Sequence, residues 1–112
     1  VSWGYETQKT KGGLTVTLSV GSYPLVKGDN DLSVKITDKA GKAVTDAKVT
    51  ARFFMPPMPG MAPMTYKPEL ALKGDVYRFK ANTSMEGTWK TEITVVRKGK
   101  STVTATFNLG AR

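Results

Sequence analysis

Four of the five methionines lie at a constant spacing of three, as Met55, Met58, Met61 and Met64, in the run Met55-Pro56-Pro57-Met58-Pro59-Gly60-Met61-Ala62-Pro63-Met64. Prolines interleave them and favour polyproline II, which has three residues per turn and so puts every third side chain on one face. A straight segment of that kind would hold neighbouring methionines roughly 9 Å apart, too far for their sulfurs to meet. Pro59-Gly60 changes the geometry. Proline then glycine at the two central positions is the pattern of a type II turn, whose corner residues, here Met58 and Met61, come within about 7 Å at Cα. Two thioethers then converge, with Met55 or Met64 as a third. Thioether sulfur is a soft, neutral ligand suited to Cu(I) and its congener Ag(I), and poor for hard divalent ions. It needs no deprotonation, so such a site keeps its ligands at low pH. Trp89 and Trp3 are candidate cation–π partners for the ion.

Two other readings use the same residues. Methionine fills irregular gaps, so the loop can close one end of a core. It can equally form an adaptable hydrophobic docking surface for a protein partner. The net charge of +8 opposes any cation site at long range.

The chain contains no histidine and no cysteine. That removes the commonest general base, thiolate metal sites, and most hydrolytic triads and zinc centres. With no phosphate loop and no nucleophile elbow either, the chain reads as a non-enzyme. The lysines Lys11, Lys39, Lys42, Lys48, Lys73, Lys80 and Lys90 sit in separate turns or strands, and the densest run, Arg97-Lys98-Gly99-Lys100, reads as a hairpin tip. Spread in this way they describe a solvated surface that discourages edge aggregation, with no nucleic-acid motif. Asp29-Asn30-Asp31 reads as a solvated turn and lacks the pattern of a calcium loop. Met85 reads as core or loop packing.

The elements that must carry the methionine run are strands. Leu14, Val16, Leu18 and Val20 alternate with Thr15, Thr17 and Ser19, and the same period of two recurs at Leu32–Ile36, Val49–Phe53, Tyr77–Ala81, Trp89–Val95 and Val103–Leu109. Glu69–Leu72 is a weaker candidate. Turn signals separate these runs at Lys27-Gly28-Asp29-Asn30, Asp38-Lys39-Ala40-Gly41, Lys73-Gly74-Asp75, Glu86-Gly87 and Lys98-Gly99-Lys100. The expected fold is all-β, an immunoglobulin-like antiparallel β-sandwich of about seven strands over residues 14–112, with Trp89 as its core aromatic; a small closed barrel is the alternative. Residues 1–13 are polar and read as an N-terminal arm. No apolar run is long enough to span a bilayer. Starting at Val1 without a leader, the chain reads as part of a longer precursor, with any anchor upstream.

Asp46-Ala47-Lys48-Val49 followed by Phe53, the Met-Pro loop, Gly74-Asp75-Val76-Tyr77 and Gly87-Thr88-Trp89 together resemble the YtkA-like family, and the related FixH-like proteins, from about Leu14 to Phe107. The resemblance implies an immunoglobulin-like module in the periplasm or cell envelope, associated with heavy-metal efflux or copper-trafficking partners. It implies a metal site at Met55, Met58, Met61 and Met64. Related copper-binding loops often add a histidine, and this chain has none, so the ion implied is Cu(I) or Ag(I). The function expected is a non-catalytic module that binds or relays that ion. The alternative is a structural or protein-interaction module that uses the loop for hydrophobic docking.

Overall fold

The computed structural model describes residues 5–21, 25–55, 59–60, 64–83 and 86–111, with Met64 described by its backbone alone. Nine strands form: β1 (Tyr5–Lys11), β2 (Leu14–Val20), β3 (Gly28–Thr37), β4 (Lys48–Met55), β5 (Met64–Tyr66), β6 (Ala71–Lys73), β7 (Val76–Thr83), β8 (Gly87–Val96) and β9 (Val103–Ala111). They build two antiparallel sheets, in the orders β1-β2-β3-β7-β6 and β5-β4-β8-β9. This is the expected all-β sandwich. No helix among the described residues is long and apolar enough to cross a membrane.

The alternating runs supply the core. Leu14, Val16, Leu18 and Val20 of β2 are at most 1% exposed, and so are Trp89, Ile93 and Val95 of β8 in the other sheet. Burying an aliphatic or aromatic side chain is worth about 1.5–3 kcal/mol, so these inward sets hold the two sheets together.

Four elements differ from the sequence reading. Residues 5–11, expected within a polar arm, form β1, paired with β2 along its whole length from Tyr5↔Val20 to Lys11↔Leu14. As an edge strand with almost every side chain exposed, it has no apolar face to betray it. Lys9 ties it to the other sheet, donating through Nζ to the Thr106 carbonyl and lying 5.5 Å from the Phe107 ring centroid. β5 was hidden behind the prolines that precede it. The strand expected at Glu69–Leu72 is β6, two residues later and only Ala71–Lys73 long.

Asp29-Asn30-Asp31 is not a turn but part of β3, with Asn30 only 6% exposed. The Asn30 Oδ1 accepts from Val26 N at 2.9 Å, and its Nδ2 donates to Val26 O at 2.9 Å and Gly28 O at 3.1 Å. The carboxamide thus ties Val26, which precedes the strand, to the start of β3, and the Thr83 hydroxyl donates to the same Val26 carbonyl. Just before it, Leu25 crosses to the second sheet, donating to Gly110 O at 2.9 Å beside its bridge to Ala111.

The strand directions give the sandwich two ends. One holds Val20, Gly28, Met55, Met64, Thr83, Gly87 and Ala111; the other holds the β1–β2 turn, the β3–β4 loop and the β8–β9 turn.

Candidate metal centre

The methionine run is the connection of a β-hairpin. β4 alternates Ala51, Phe53 and Met55 inward, and β5 pairs with it as Phe53↔Tyr66, Phe54↔Thr65 and Met55↔Met64. Met55 and Met64 are therefore direct cross-strand partners at the base of the loop, and residues 56–63, which include Met58 and Met61, close it. The prolines of that connection have no N–H to give a ladder. At the expected turn, Pro59-Gly60 is a turn in the structure, and Gly60 has φ +78°, the left-handed value that the second central position of a type II turn takes. Met58 and Met61 lie outside the described residues.

The hairpin base carries an aromatic floor, with Phe53 and Tyr66 paired two residues in from Met55 and Met64. The Phe53 and Trp89 rings stack with centroids 4.9 Å apart and planes 5° apart, and Tyr66 tilts toward Trp89 at 6.0 Å. Trp89 is fully buried. Phe53 covers one face of its ring, which makes it the core aromatic of the sandwich and removes that face from any cation–π contact. Trp3, the other candidate, lies outside the described residues. Met55 is 4% exposed and belongs to the buried core. Its Cε is 3.0 Å from where a Cβ on Gly87 would stand, and Gly87 has φ +135°. Glycine is needed at 87 on both counts: the backbone is left-handed, and the methionine end fills the space a side chain would take.

This end carries the Met55 thioether and the Phe53, Trp89 and Tyr66 rings, and also the Asn30 amide and the Thr83 hydroxyl. Among the described residues no group of three or more His, Cys, Asp or Glu is placed to hold a metal. The one ion pair on this part of β4 faces outward: Arg52 Nη2 meets Glu92 Oε2 at 3.2 Å, while the guanidinium lies 4.1 Å from the Phe54 ring centroid. Thioether sulfur, where it is available, is a donor for soft cations.

The Gly74-Asp75-Val76-Tyr77 motif resolves into a structural role at the opposite end. Gly74-Asp75 is the two-residue turn between β6 and β7, closed by Lys73↔Val76. The Tyr77 hydroxyl, carried inward, donates to Ala47 O at 3.3 Å and Val44 O at 3.4 Å, pinning the β3–β4 loop. Burial pushes its phenol above the usual tyrosine value, with the Asp46 carboxylate adding to this and the Ala47 bond pulling partly back.

The YtkA-like family model matches residues 8–94, more than half of the chain. The chain belongs to the YtkA-like family. No curated protein matches this YtkA-like chain in sequence. Solved structures share its fold. A DUF4426 family protein, PA0388 of Pseudomonas aeruginosa PAO1, is 22% identical with a TM-score of 0.67, covering 93% of this chain and 94% of that one. FetP of uropathogenic Escherichia coli strain F11, recombinantly expressed in the periplasm, is 10% identical with a TM-score of 0.57, covering 96% and 93%. The copper-reconstituted P19 protein of Campylobacter jejuni is 11% identical with a TM-score of 0.53, covering 97% and 99%. At these identities the likeness is one of fold.

The sequence reading missed the Phe53–Trp89–Tyr66 cluster. Each ring was visible as an inward or flanking residue, but their stacking depends on the β5-β4-β8 order, which no local pattern carries.

Proposed function

We propose that this YtkA-like domain is a non-catalytic module of the periplasm or cell envelope that binds and relays Cu(I) or Ag(I) through Met55, Met58, Met61 and Met64, in the service of a heavy-metal efflux or copper-trafficking system. The observation that carries the reading is the Met55↔Met64 register. It closes the hairpin so that all four methionines belong to one loop and its two base residues, around a glycine turn. Met58, Met61 and Met64 are the exchangeable ligands. Met55, packed against Gly87, is the inner member at the floor. The periplasmic expression of FetP and the copper reconstitution of P19 lend support from proteins of the same fold. A neutral thioether set suits relay, because ligands exchange one at a time without proton transfer.

Ag(I) titration followed by methyl resonances tests this. The Met58 and Met61 signals move first. Equal movement of Met85, or no movement at all, overturns the assignment. Replacing Met58, Met61 and Met64 by leucine separates metal binding from hydrophobic docking, because leucine keeps the apolar volume and lacks the sulfur. The variant folds and loses its Ag(I) response. An unchanged response refutes the proposal.

A further inference from the structure

Lysines that are far apart in sequence meet at the end of the sandwich opposite the methionine loop. Three adjoining shallow clefts there all include Arg97, and between them they are lined by Lys11, Lys39, Lys42, Lys98 and Lys100. Three separate connections deliver these side chains: the Gly12-Gly13 turn after β1, the β3–β4 loop and the β8–β9 turn. The fold brings the connections into contact. A Cβ on Gly12 would stand 3.0 Å from Val103 Cγ2, and one on Gly13 would stand 3.0 Å from Lys39 Cε, so the bare glycine backbone lets the lysine stem lie across it.

Six cations and two carboxylates, Asp38 and Asp46, line these clefts. Asp38 is engaged by the backbone, its Oδ1 accepting from Ala40 N at 2.9 Å and Lys42 N at 3.0 Å. The ion pairs among the described residues, Lys35–Asp75 and Arg52–Glu92, involve none of the six cations. The surplus of four positive charges is half of the chain's +8, gathered on turn tips at one end.

From this clustering we infer that the basic end is a docking surface for a bilayer bearing anionic phospholipid headgroups. The clefts are open and shared by mobile-stemmed lysines, which suits a plane of many phosphates better than one enclosed anion. No phenylalanine, tyrosine or tryptophan lines them, so the stacking platform that single-stranded nucleic acid requires is missing from this face. Exposed lysine and arginine near an anionic bilayer each strengthen binding about fivefold. Docking by this end would turn the methionine loop away from the membrane, although the inference does not depend on that loop binding metal.

The test is sedimentation with vesicles of phosphatidylcholine containing about one-third phosphatidylglycerol, against pure phosphatidylcholine, at low salt. The wild-type chain binds the anionic vesicles and not the neutral ones, and binding weakens as salt is raised. The triple variant Lys39→Gln, Lys98→Gln, Lys100→Gln loses about a hundredfold. The control Lys67→Gln, Lys80→Gln, Lys90→Gln removes the same net charge elsewhere and loses less than tenfold. Equal losses in the two variants overturn the inference, because net charge alone would then govern binding. So does absence of binding to the anionic vesicles, or tighter binding to a duplex DNA of equal phosphate concentration. Thermal melts of both variants confirm that each remains folded.

Discussion

Gly87→Ala isolates how the floor of the methionine loop is built. The substitution acts twice. It forces a residue with a side chain to φ +135°, and it puts a Cβ 3.0 Å from Met55 Cε. Left-handed backbone costs about 1–3 kcal/mol when a non-glycine residue is held there. Displacing the end of a flexible methionine adds about 1 kcal/mol, the low end of what overpacking costs. The sum is about 2–4 kcal/mol, a fall in Tm of roughly 8–16 °C for a domain of this size. Urea unfolding of the wild type, Gly87→Ala, Met55→Leu and the double variant resolves the two parts. Leucine has no ε methyl, so the steric part vanishes in the Met55→Leu background while the backbone part stays. The expected coupling is about 1 kcal/mol. A cost for Gly87→Ala below about 0.5 kcal/mol would refute the backbone argument, and zero coupling would refute the contact with Met55.

Asn30→Ala removes the carboxamide that bonds to Val26 and Gly28; it costs about 1–2 kcal/mol by urea unfolding, because the Val26 N–H loses its partner while the Val26 carbonyl keeps the Thr83 hydroxyl, and a cost under about 0.5 kcal/mol would show that water replaces the side chain. Tyr77→Phe removes two long hydrogen bonds to the β3–β4 loop and costs about 1 kcal/mol at neutral pH. The folded phenol titrates above 10.0, so above that pH the unfolded chain gives up its proton while the folded chain retains it. The contribution of Tyr77 is thus complete below pH 10 and is lost as pH rises beyond it. The gap between wild type and Tyr77→Phe narrows above pH 10, and parallel stability curves from pH 8 to pH 11 would contradict the assignment.

Period-two alternation revealed the strands that bury one face, because a half-buried strand must write its two environments into alternate residues. Leu14 to Val20 shows this, as does Trp89 to Val95. It was silent for β1, which buries almost nothing and is a strand only because β2 offers it a ladder. The polar composition of Asp29-Asn30-Asp31 was misleading as a turn signal, because the triplet lies in a strand whose incoming chain is bonded by the Asn30 amide. The basic end was invisible for a different reason. Lys11, Lys39 and Lys98 are unremarkable in one dimension, and only the meeting of three connections makes them neighbours. The methionine spacing and the Pro59-Gly60 turn were legible because both are local. The pairing of Met55 with Met64 was not, since it depends on β5.

The burial of Met55 sets a limit on how tightly the proposed loop can hold an ion. A cation that recruits this sulfur must draw it from its buried position and leave a void beside Gly87. Emptying a buried methionine site costs about 2–5 kcal/mol. Even the lower figure would weaken binding roughly thirtyfold relative to a preformed site. An ion that keeps to Met58, Met61 and Met64 avoids that cost and accepts one ligand fewer. Met55→Leu should therefore change the Ag(I) affinity by less than about tenfold, whereas Met58→Leu, which removes a ligand and disturbs no described packing, should weaken it more. Isothermal titration of the two variants decides the matter. If Met55→Leu proves the more damaging, the inner sulfur is a full ligand, and the floor of the loop must open to admit the ion.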